Sequence, residues 1–182
     1  MNEIQIGGFK IGLQYRPFIV AEMSGNHNRS FERALEIIEA AAKAGVQALK
    51  LQTYTADTMT LDIKNEEFML RGEGSIWKDQ SLYNLFKSGN TPWEWHEPIM
   101  KRAKELGMVC FSTPFDETAV EFLEKLNVPA YKIASMEINH LPLIRAAAST
   151  GKPVIISTGM ATQEDIGEAV DAARDAGCKN II

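Results

Sequence analysis

The chain alternates short apolar runs with amphipathic segments, and this alternation constrains its fold more than any other feature. The runs show no polar alternation, which is typical of strands buried on both faces of a parallel sheet. Strand, helix and strand in succession predict right-handed parallel βαβ units. The runs cover residues 18–21, 48–51, 108–111, 130–133, 154–156 and 181–182.

Helix signals lie between the runs. The sequence TPWE at residues 91–94 combines a capping box with proline at the first helical position, and it predicts a helix that ends near Gly107. Three other helices are each expected to follow a capping residue. They are 31–44 after Ser30, 117–126 after Asp116 and 163–176 after Thr162.

The number of units defines the fold class. A closed (β/α)8 barrel usually needs about 250 residues, and this chain has 182. We therefore expect an α/β fold of the parallel TIM-barrel type, truncated after about five and a half of eight units and with unpaired edge strands. Residues 1–16, with IQI and FKI around two glycines, are expected to form a hairpin-like section. Residues 17–182 are expected to form the N-terminal part of the barrel.

One connection is unusually long. Residues 55–90 form a polar, glycine-containing stretch between the second run and its helix. This length exceeds what a simple connector needs. We expect a lid or wall beside a site, and the alternative is a solvated insertion with no role.

Composition and charge exclude several classes of protein. With 24 Asp and Glu against 19 Lys and Arg, the net charge is −5, so no basic field favours nucleic acid or anionic lipid. The apolar runs are far shorter than the ~20 residues of a membrane helix, and the first residues do not resemble a signal peptide. A cytoplasmic protein is expected. Cys110 and Cys178 lack metal or redox spacing and are interpreted as reduced packing residues.

Polar side chains follow the apolar part of each run. In parallel α/β folds the carboxyl ends of the strands lie at one face, where ligands bind. The polar side chains are therefore expected to converge. They are Glu22 after the first strand, Lys50 and Gln52 on the second, Thr113 after the third, Lys132 and Ser135 at the fourth, and Ser157 and Thr158 after the fifth.

The two lysines in this set predict an anionic ligand. An ammonium buried without a partner loses its proton or costs several kcal/mol, so Lys50 and Lys132 each need an anion. The neighbouring hydroxyls and the backbone N–H at Gly159 are donors suited to a phosphate or carboxylate. A small ligand with more than one negative group fits this arrangement best.

Glu22 is the one acid among these strand-end residues, so it is a candidate general base or acid. The alternative is a structural ion pair with Lys50 on the adjacent strand, which would satisfy both groups without chemistry. The hydroxyls, taken singly, could equally cap helices or bond loops.

The three histidines show no metal-ligand spacing. His27 is a candidate sugar or metal contact, with a loop histidine bonded to its neighbours as the alternative. His96 is interpreted as a packing residue and His140 as part of a helix start. No metal site is predicted within the chain.

Five motifs, in order, resemble the sialic acid synthase family, whose members condense phosphoenolpyruvate with an acylated amino-sugar to make nonulosonic acids. The resemblance is closest to the pseudaminic acid synthase branch, whose members serve carbohydrate biosynthesis for bacterial surface glycans. The branch is indicated by EMSGNHN at 22–28 and TPWEWH at 91–96. The five motifs are FIVAEMSGNHN at 18–28, ALKLQTY at 48–54, FSTPFD at 111–116, YKIAS at 131–135 and IISTGM at 155–160.

The resemblance implies roles for the strand-end residues. Lys50 and Thr113 would hold the carboxylate of phosphoenolpyruvate, and Glu22 would act as base or orient water. The remaining implied roles are a sugar contact for Gln52 and a phosphate site for Lys132, Ser135 and Ser157.

The resemblance also implies parts that lie beyond residue 182. These are the ligands of a divalent metal, manganese or magnesium, the rest of the barrel and an antifreeze-like domain that crosses a homodimer. We therefore expect the isolated 182 residues to be inactive. A Schiff-base aldolase using Lys50 or Lys132, or an inactive binding fragment, is the alternative. Among acceptors, the precursors of N-acetylneuraminate and legionaminate are the alternatives to the pseudaminic acid precursor, 2,4-diacetamido-2,4,6-trideoxy-altrose.

Overall fold

A computed structural model describes residues 3–71 and 76–182 and shows a curled parallel sheet. The strands follow one another in chain order, and each is parallel to its neighbours. Ile181 then forms a parallel bridge to Val154, as the start of a further strand would. The fold is therefore the truncated parallel α/β half-barrel that the sequence predicted. Its strands are β3 (Val20–Glu22), β4 (Ala48–Thr53), β5 (Val109–Pro114), β6 (Tyr131–Ile133) and β7 (Val154–Ile156).

Helices cover the outer face of the sheet, and most begin where the sequence indicated. The Ser30 hydroxyl accepts a hydrogen bond from the Arg33 N–H, and Thr162 forms a reciprocal capping box with Asp165. Asp116 accepts from the Thr118 N–H. The helices are α1 (Phe31–Lys43), α2 (Ala56–Met59), α3 (Leu82–Gly89), α4 (His96–Glu105), α5 (Glu117–Lys125), α6 (Leu141–Ser149) and α7 (Gln163–Asp175).

The capping box predicted at residues 91–94 is wrong. A short 3-10 helix, Trp93–Trp95, precedes α4 there, and its N-terminal residue Pro92 provides no side-chain cap. The physical reason is that Thr91 is buried and its hydroxyl is hydrogen-bonded to the ring of His27. The Thr91 side chain thus joins two distant segments instead of capping a helix.

An antiparallel hairpin closes the N-terminal end of the sheet. It consists of β1 (Ile4–Ile6) and β2 (Phe9–Ile11). Ile6 is fully buried in one cluster with Ala48, Phe111 and Ala130 from the sheet. A Cβ atom at Gly7 would lie 2.2 Å from Val109 Cγ1, so only glycine fits this close approach. The hairpin forms within the residues predicted for it, although residues 1 and 2 lie outside those described, and the division into domains stays a prediction.

Two further apolar clusters fill the space between the sheet and its helices. One gathers buried residues from α1, α4 and the neighbouring strands, and the other gathers residues from α5, α6 and α7. Cys110 and Cys178 are buried and free within these clusters, as expected for packing residues. In the described ranges no helix has the length and apolar character that crossing a membrane requires.

The long segment 55–90 is built against the loop that follows β3. Tyr83 on α3 donates to Asp57 on α2, which ties the segment to itself. Gly25 and Gly89 are in close contact, since a Cβ atom on Gly25 would lie 2.8 Å from the Gly89 carbonyl oxygen. The Arg29 guanidinium donates to Asn90. These contacts favour a wall over a solvated insertion, and residues 72–75 of the segment lie outside those described.

Candidate active site

The inward face of each strand changes from apolar to polar in the direction of its carboxyl end. Alternate residues of a strand share a face, and the inner face near the hairpin is marked by the apolar cluster with Ile6. Moving along that face, each apolar residue is followed two positions later by a polar one. The pairs are Val20 and Glu22, Ala48 and Lys50, Phe111 and Thr113, Ala130 and Lys132, and Ile155 and Ser157.

Glu22, Lys50 and Thr113 form a connected group at this edge. Glu22 and Lys50 are opposite one another in the β3–β4 register, and Lys50 Nζ lies 2.7 Å from Glu22 Oε1. Lys50 Nζ also donates to Thr113 Oγ1 at 3.3 Å. The structure therefore contains the ion pair that the sequence raised as an alternative, and it places both groups at the candidate site.

The ion pair determines the charge state of Glu22. Burial raises the pKa of this carboxyl, but the hydrogen bond and charge of Lys50, helped by the Ser24 hydroxyl, outweigh it and leave the pKa below its ordinary value. Glu22 is therefore ionised at neutral pH. An ionised carboxylate can accept a proton or orient water, whereas it cannot begin a reaction as the acid.

Lys132 differs from Lys50 in having no carboxylate partner. Its Nζ donates to the Ile133 carbonyl oxygen at 2.6 Å, and across residues 3–71 and 76–182 no ion pair with an acid forms. Burial, and then the charge of Lys50, lower its pKa to about 8, although Glu22 and Glu137 oppose the change. An anion bound here would pair with an ammonium group that has no counter-ion among the described residues.

Hydroxyl and amide donors adjoin Lys132. Ser135 Oγ accepts a hydrogen bond from the Gly159 N–H at 3.3 Å, which leaves its own proton free for a ligand. The Ser157 N–H donates to the Ile133 carbonyl oxygen at 3.0 Å, so Ser157 lies beside β6. Thr158 is exposed next to it. Lys132, Ser135 and Ser157 are therefore brought to one part of the edge.

Gln52 lies on β4, two residues past Lys50. It is partly exposed and is opposite Thr113 in the β4–β5 register. This position adjoins both Lys50 and the wall formed by residues 55–90, as expected for a contact to a second substrate. Its role as a sugar contact stays a prediction.

The sequence analysis missed Glu137, which lies two residues after Ser135 on a 3-10 helix. Its Oε2 atom is buried without a hydrogen-bond partner, and burial raises the pKa of its carboxyl. Glu137 is one of the two acids whose charge acts on Lys132. The available signal was its position just past a strand-end serine, which the strand pattern alone does not single out.

His27 and His96 are packed away from this edge. His27 is fully buried, its Nε2 lies 3.1 Å from Thr91 Oγ1, and its Nδ1 accepts from the Arg29 N–H. This geometry favours the bonded loop histidine over a ligand contact. His96 is also buried, which confirms its packing role. His140 lies before α6, as expected for a helix start, and 3.8 Å from Glu117.

The described residues do not fit a divalent metal. In those ranges no group of three or more His, Cys, Asp or Glu side chains could hold one. The metal that the family resemblance implies stays a prediction, with its ligands expected beyond residue 182.

Comparison with known proteins agrees with the geometry. The NeuB family matches residues 37–182. The chain belongs to the NeuB family. It is 45% identical over 163 residues to the pseudaminic acid synthase of Campylobacter jejuni, covering 90% of this chain and 46% of that protein. Identity to the pseudaminic acid synthase of Helicobacter pylori is 44% over 158 residues, which covers 87% of this chain and 46% of that protein.

A solved structure of another protein has the same fold as this NeuB family chain. The N-acetylneuraminic acid synthetase of Leptospira borgpetersenii superposes with a TM-score of 0.84 at 29% identity, covering 99% of this chain and 58% of that one. The chain spans about half the length of the pseudaminic acid synthases it matches.

Proposed function

We propose that this chain forms the phosphoenolpyruvate-binding part of a nonulosonic acid synthase. The full-length protein would condense phosphoenolpyruvate with an acylated amino-sugar aldehyde and release phosphate. The observation that carries the proposal is the pair of lysines at one sheet edge. Among the described residues, Lys50 has a carboxylate partner and Lys132 has none. This net positive charge suits a ligand with two anionic groups, and phosphoenolpyruvate carries a carboxylate and a phosphate.

The acceptor is proposed to be 2,4-diacetamido-2,4,6-trideoxy-altrose, which gives pseudaminic acid. The support is that the relatives with the highest identity given above are pseudaminic acid synthases. The precursors of legionaminate and N-acetylneuraminate are the alternatives. We also propose that the full-length protein is a cytoplasmic homodimer, which size-exclusion chromatography with light scattering tests for its oligomeric part.

Each polar residue at the sheet edge then has a proposed role in the reaction. Lys50 and Thr113 hold the carboxylate, while Lys132, Ser135 and Ser157 hold the phosphate, and these contacts fix the enol for attack. The methylene carbon of phosphoenolpyruvate forms a bond to the aldehyde carbon of the sugar, as the carbon–carbon double bond of the enol opens. The aldehyde oxygen takes up a proton from solvent water. Water adds to the resulting cationic carbon, and ionised Glu22 accepts the proton that this water loses.

Phosphate leaves in the final step. The bond between carbon and the bridging oxygen breaks, and that oxygen departs with the phosphate. The hydroxyl that came from water becomes the keto group and gives its proton to the leaving phosphate. Lys132, Ser135 and Thr158 are placed to stabilise the charge that collects on the leaving phosphate.

The test combines product analysis with an isotope label. Full-length protein is incubated with phosphoenolpyruvate carrying 18O at the bridging oxygen and with a panel of acylated amino-sugars, and the products are weighed by mass spectrometry. We expect pseudaminic acid and labelled phosphate. Unlabelled phosphate would contradict the carbon–oxygen cleavage, and a legionaminic or N-acetylneuraminic product would overturn the proposed acceptor.

A Schiff-base aldolase is the second candidate, because the pKa of Lys132 is lowered to about 8 and its amine is partly unprotonated near neutral pH. Borohydride treatment in the presence of pyruvate or the sugar distinguishes the two. A stable adduct on Lys132 or Lys50 that accompanies turnover would favour the aldolase. Phosphate release without an adduct favours the synthase.

A further inference from the structure

Tyr54 follows Thr53, the last residue of β4, which is the strand that contains Lys50 and Gln52. Alternate residues share a face of a strand, and Tyr54 continues the alternation of Lys50 and Gln52 one residue past the end of β4. Phe115 follows Pro114, which is opposite Thr53 in the β4–β5 register. The two rings are in contact, with centroids 5.3 Å apart and planes at 77°.

The Tyr54 ring is held on several sides. Phe86 from α3 packs against it edge-on, with centroids 5.9 Å apart. Trp93 Nε1 donates to the Tyr54 carbonyl oxygen at 3.4 Å, which anchors the backbone. Only 7% of the residue is exposed. Packing of this kind fixes the ring in one rotamer before any ligand arrives.

The Tyr54 hydroxyl lies where the wall segment meets the loop after β3. A Cβ atom on Gly89 would lie 3.3 Å from the Tyr54 oxygen, and Gly89 itself contacts Gly25. Gly25 follows Ser24, whose hydroxyl donates to Glu22. The phenol is therefore at the same end of the sheet as the Glu22–Lys50 pair and on the side of Gln52.

This hydroxyl has no partner within the described parts of the chain. No hydrogen bond to its oxygen forms, whereas the Tyr83 hydroxyl on α3 is bonded to Asp57 at 3.0 Å. Burial raises the pKa of Tyr54, so the group stays a neutral donor and acceptor. The Tyr54 oxygen is not among the buried side-chain atoms that lack a partner, so it is open to solvent and a bound molecule can supply its hydrogen-bond partner.

We propose that the Tyr54 hydroxyl binds a hydroxyl or acetamido group of the acylated amino-sugar and helps to select it. The inference rests on the proposed function and adds a specificity-determining residue that the motif roles above do not include. Lys50, Thr113 and Lys132 bind the anionic substrate, so the neutral donors Gln52 and Tyr54 face the neutral one. A fixed polar group that loses its partner discriminates strongly against analogues lacking that partner.

The test is Tyr54→Phe in the full-length protein, with Tyr83→Phe as the matched control. Both variants remove one phenolic oxygen from this region and keep the ring. We expect Tyr54→Phe to raise the KM for the amino-sugar about tenfold, with kcat and the KM for phosphoenolpyruvate within about twofold of wild type. Tyr83→Phe should leave all three constants within about twofold.

A direct measurement of amino-sugar binding tests the role of Tyr54 independently of turnover. Calorimetric titration of the amino-sugar should show the same tenfold weakening in Tyr54→Phe, whether or not product forms. Unchanged sugar affinity, or an equal loss of phosphoenolpyruvate affinity, would overturn the role of Tyr54 while wild-type turnover still supports the synthase. Wild-type protein that neither turns over nor binds any amino-sugar would overturn both.

Discussion

The two lysines at the sheet edge differ in their charge partners. Lys50 has Glu22 at 2.7 Å and Thr113 at 3.3 Å, so its charge is already compensated. Within the part of the chain that the structure describes, the one hydrogen-bond partner of Lys132 Nζ is a backbone carbonyl oxygen. A phosphate group therefore gains more from Lys132 than from Lys50, and the protonation of Lys132 becomes part of ligand binding.

This protonation predicts a pH dependence. Free Lys132 has a pKa of about 8, and a bound phosphate raises that pKa because it favours the charged form. Binding above pH 8 must therefore take up a proton, and the affinity for phosphoenolpyruvate falls by up to about tenfold per pH unit. The KM for phosphoenolpyruvate, measured from pH 7 to 10, should rise above pH 8.

Lys132→Arg provides the control for this effect, since a guanidinium keeps its charge across the range. We expect the rise in KM above pH 8 to disappear in Lys132→Arg, even where the altered geometry weakens binding at pH 7. A rise of the same size in both proteins would assign the titration to another group.

A substitution at Gly159 should also weaken phosphoenolpyruvate binding. A Cβ atom there would lie 2.9 Å from Ser135 Oγ, so Gly159→Ala must push the serine out of place. We expect about tenfold weaker phosphoenolpyruvate binding, because a hydrogen bond to a charged group contributes about 1.5–3 kcal/mol. Calorimetric titration measures it.

Gly167→Ala is the matched control, because a Cβ atom at Gly167 meets nothing within 4 Å. Gly167 lies inside α7, where alanine is the better helix former by about 1 kcal/mol. This variant should bind phosphoenolpyruvate normally and unfold at a slightly higher temperature. Equal binding by Gly159→Ala and wild type would show that Ser135 does not hold the phosphate.

At the scale of elements, a chain of buried hydrogen bonds links β4, β5 and the start of α4. Thr53 Oγ1 lies 2.6 Å from Ser112 Oγ and 2.8 Å from His96 Nε2, and His96 Nδ1 lies 3.2 Å from the Pro92 carbonyl oxygen. The chain lies on the face opposite Gln52 and Thr113. It therefore helps to fix the strands that position the site, and burial lowers the pKa of His96, which keeps the ring neutral near pH 7.

Neutral His96 predicts acid sensitivity. Burial lowers its pKa from an ordinary 6.5 to about 4, so the unfolded chain binds this proton at higher pH than the folded one. The stabilisation is complete above pH 6.5 and is lost as the pH falls to 4, by about 3 kcal/mol in total. Urea unfolding at pH 7.0, 5.5 and 4.5 measures it.

His96→Gln should show a shallower loss of unfolding free energy over the same range, because an amide does not titrate. The difference in slope between the two proteins isolates His96 from the carboxylates that also titrate. Parallel curves would mean that the pKa of His96 is the same in the folded and unfolded protein, which would contradict this prediction.

The sequence predicted the elements better than it predicted their contacts. The apolar runs and the caps at Ser30, Asp116 and Thr162 are local signals, and the structure confirms them. Thr91 carried the same local signal, but its hydroxyl binds His27, which lies 64 residues away in the chain. Local patterns do not contain that information.

The same distinction applies to the candidate site. Strand-end polarity was enough to bring Glu22, Lys50 and Thr113 together, because parallel strands align their carboxyl ends. Tyr54 and Glu137 were missed as site residues. An aromatic ring in a β-type segment resembles a core residue, and an acid on a short helix resembles a surface residue. Only the structure shows that the Tyr54 oxygen has no hydrogen bond within the described residues and that Glu137 Oε2 is buried without a partner.

At the scale of the molecule, the sheet edge is assembled only by all five strands acting together. Each contributes one or two polar groups, and the hairpin with Ile6 closes the opposite end. The chain spans about half of its pseudaminic acid synthase relatives. We propose that this edge holds one doubly anionic molecule, and that Lys132 is the cation that its phosphate neutralises.

The most direct test is the phosphoenolpyruvate affinity of full-length Lys132→Met, which keeps the aliphatic stem and removes the charge, beside Lys43→Met at the exposed end of α1. We expect Lys132→Met to bind phosphoenolpyruvate about 10- to 100-fold more weakly, the range for a hydrogen bond to a charged group. Lys43→Met should bind like wild type. Equal affinity of Lys132→Met and wild type would contradict the account.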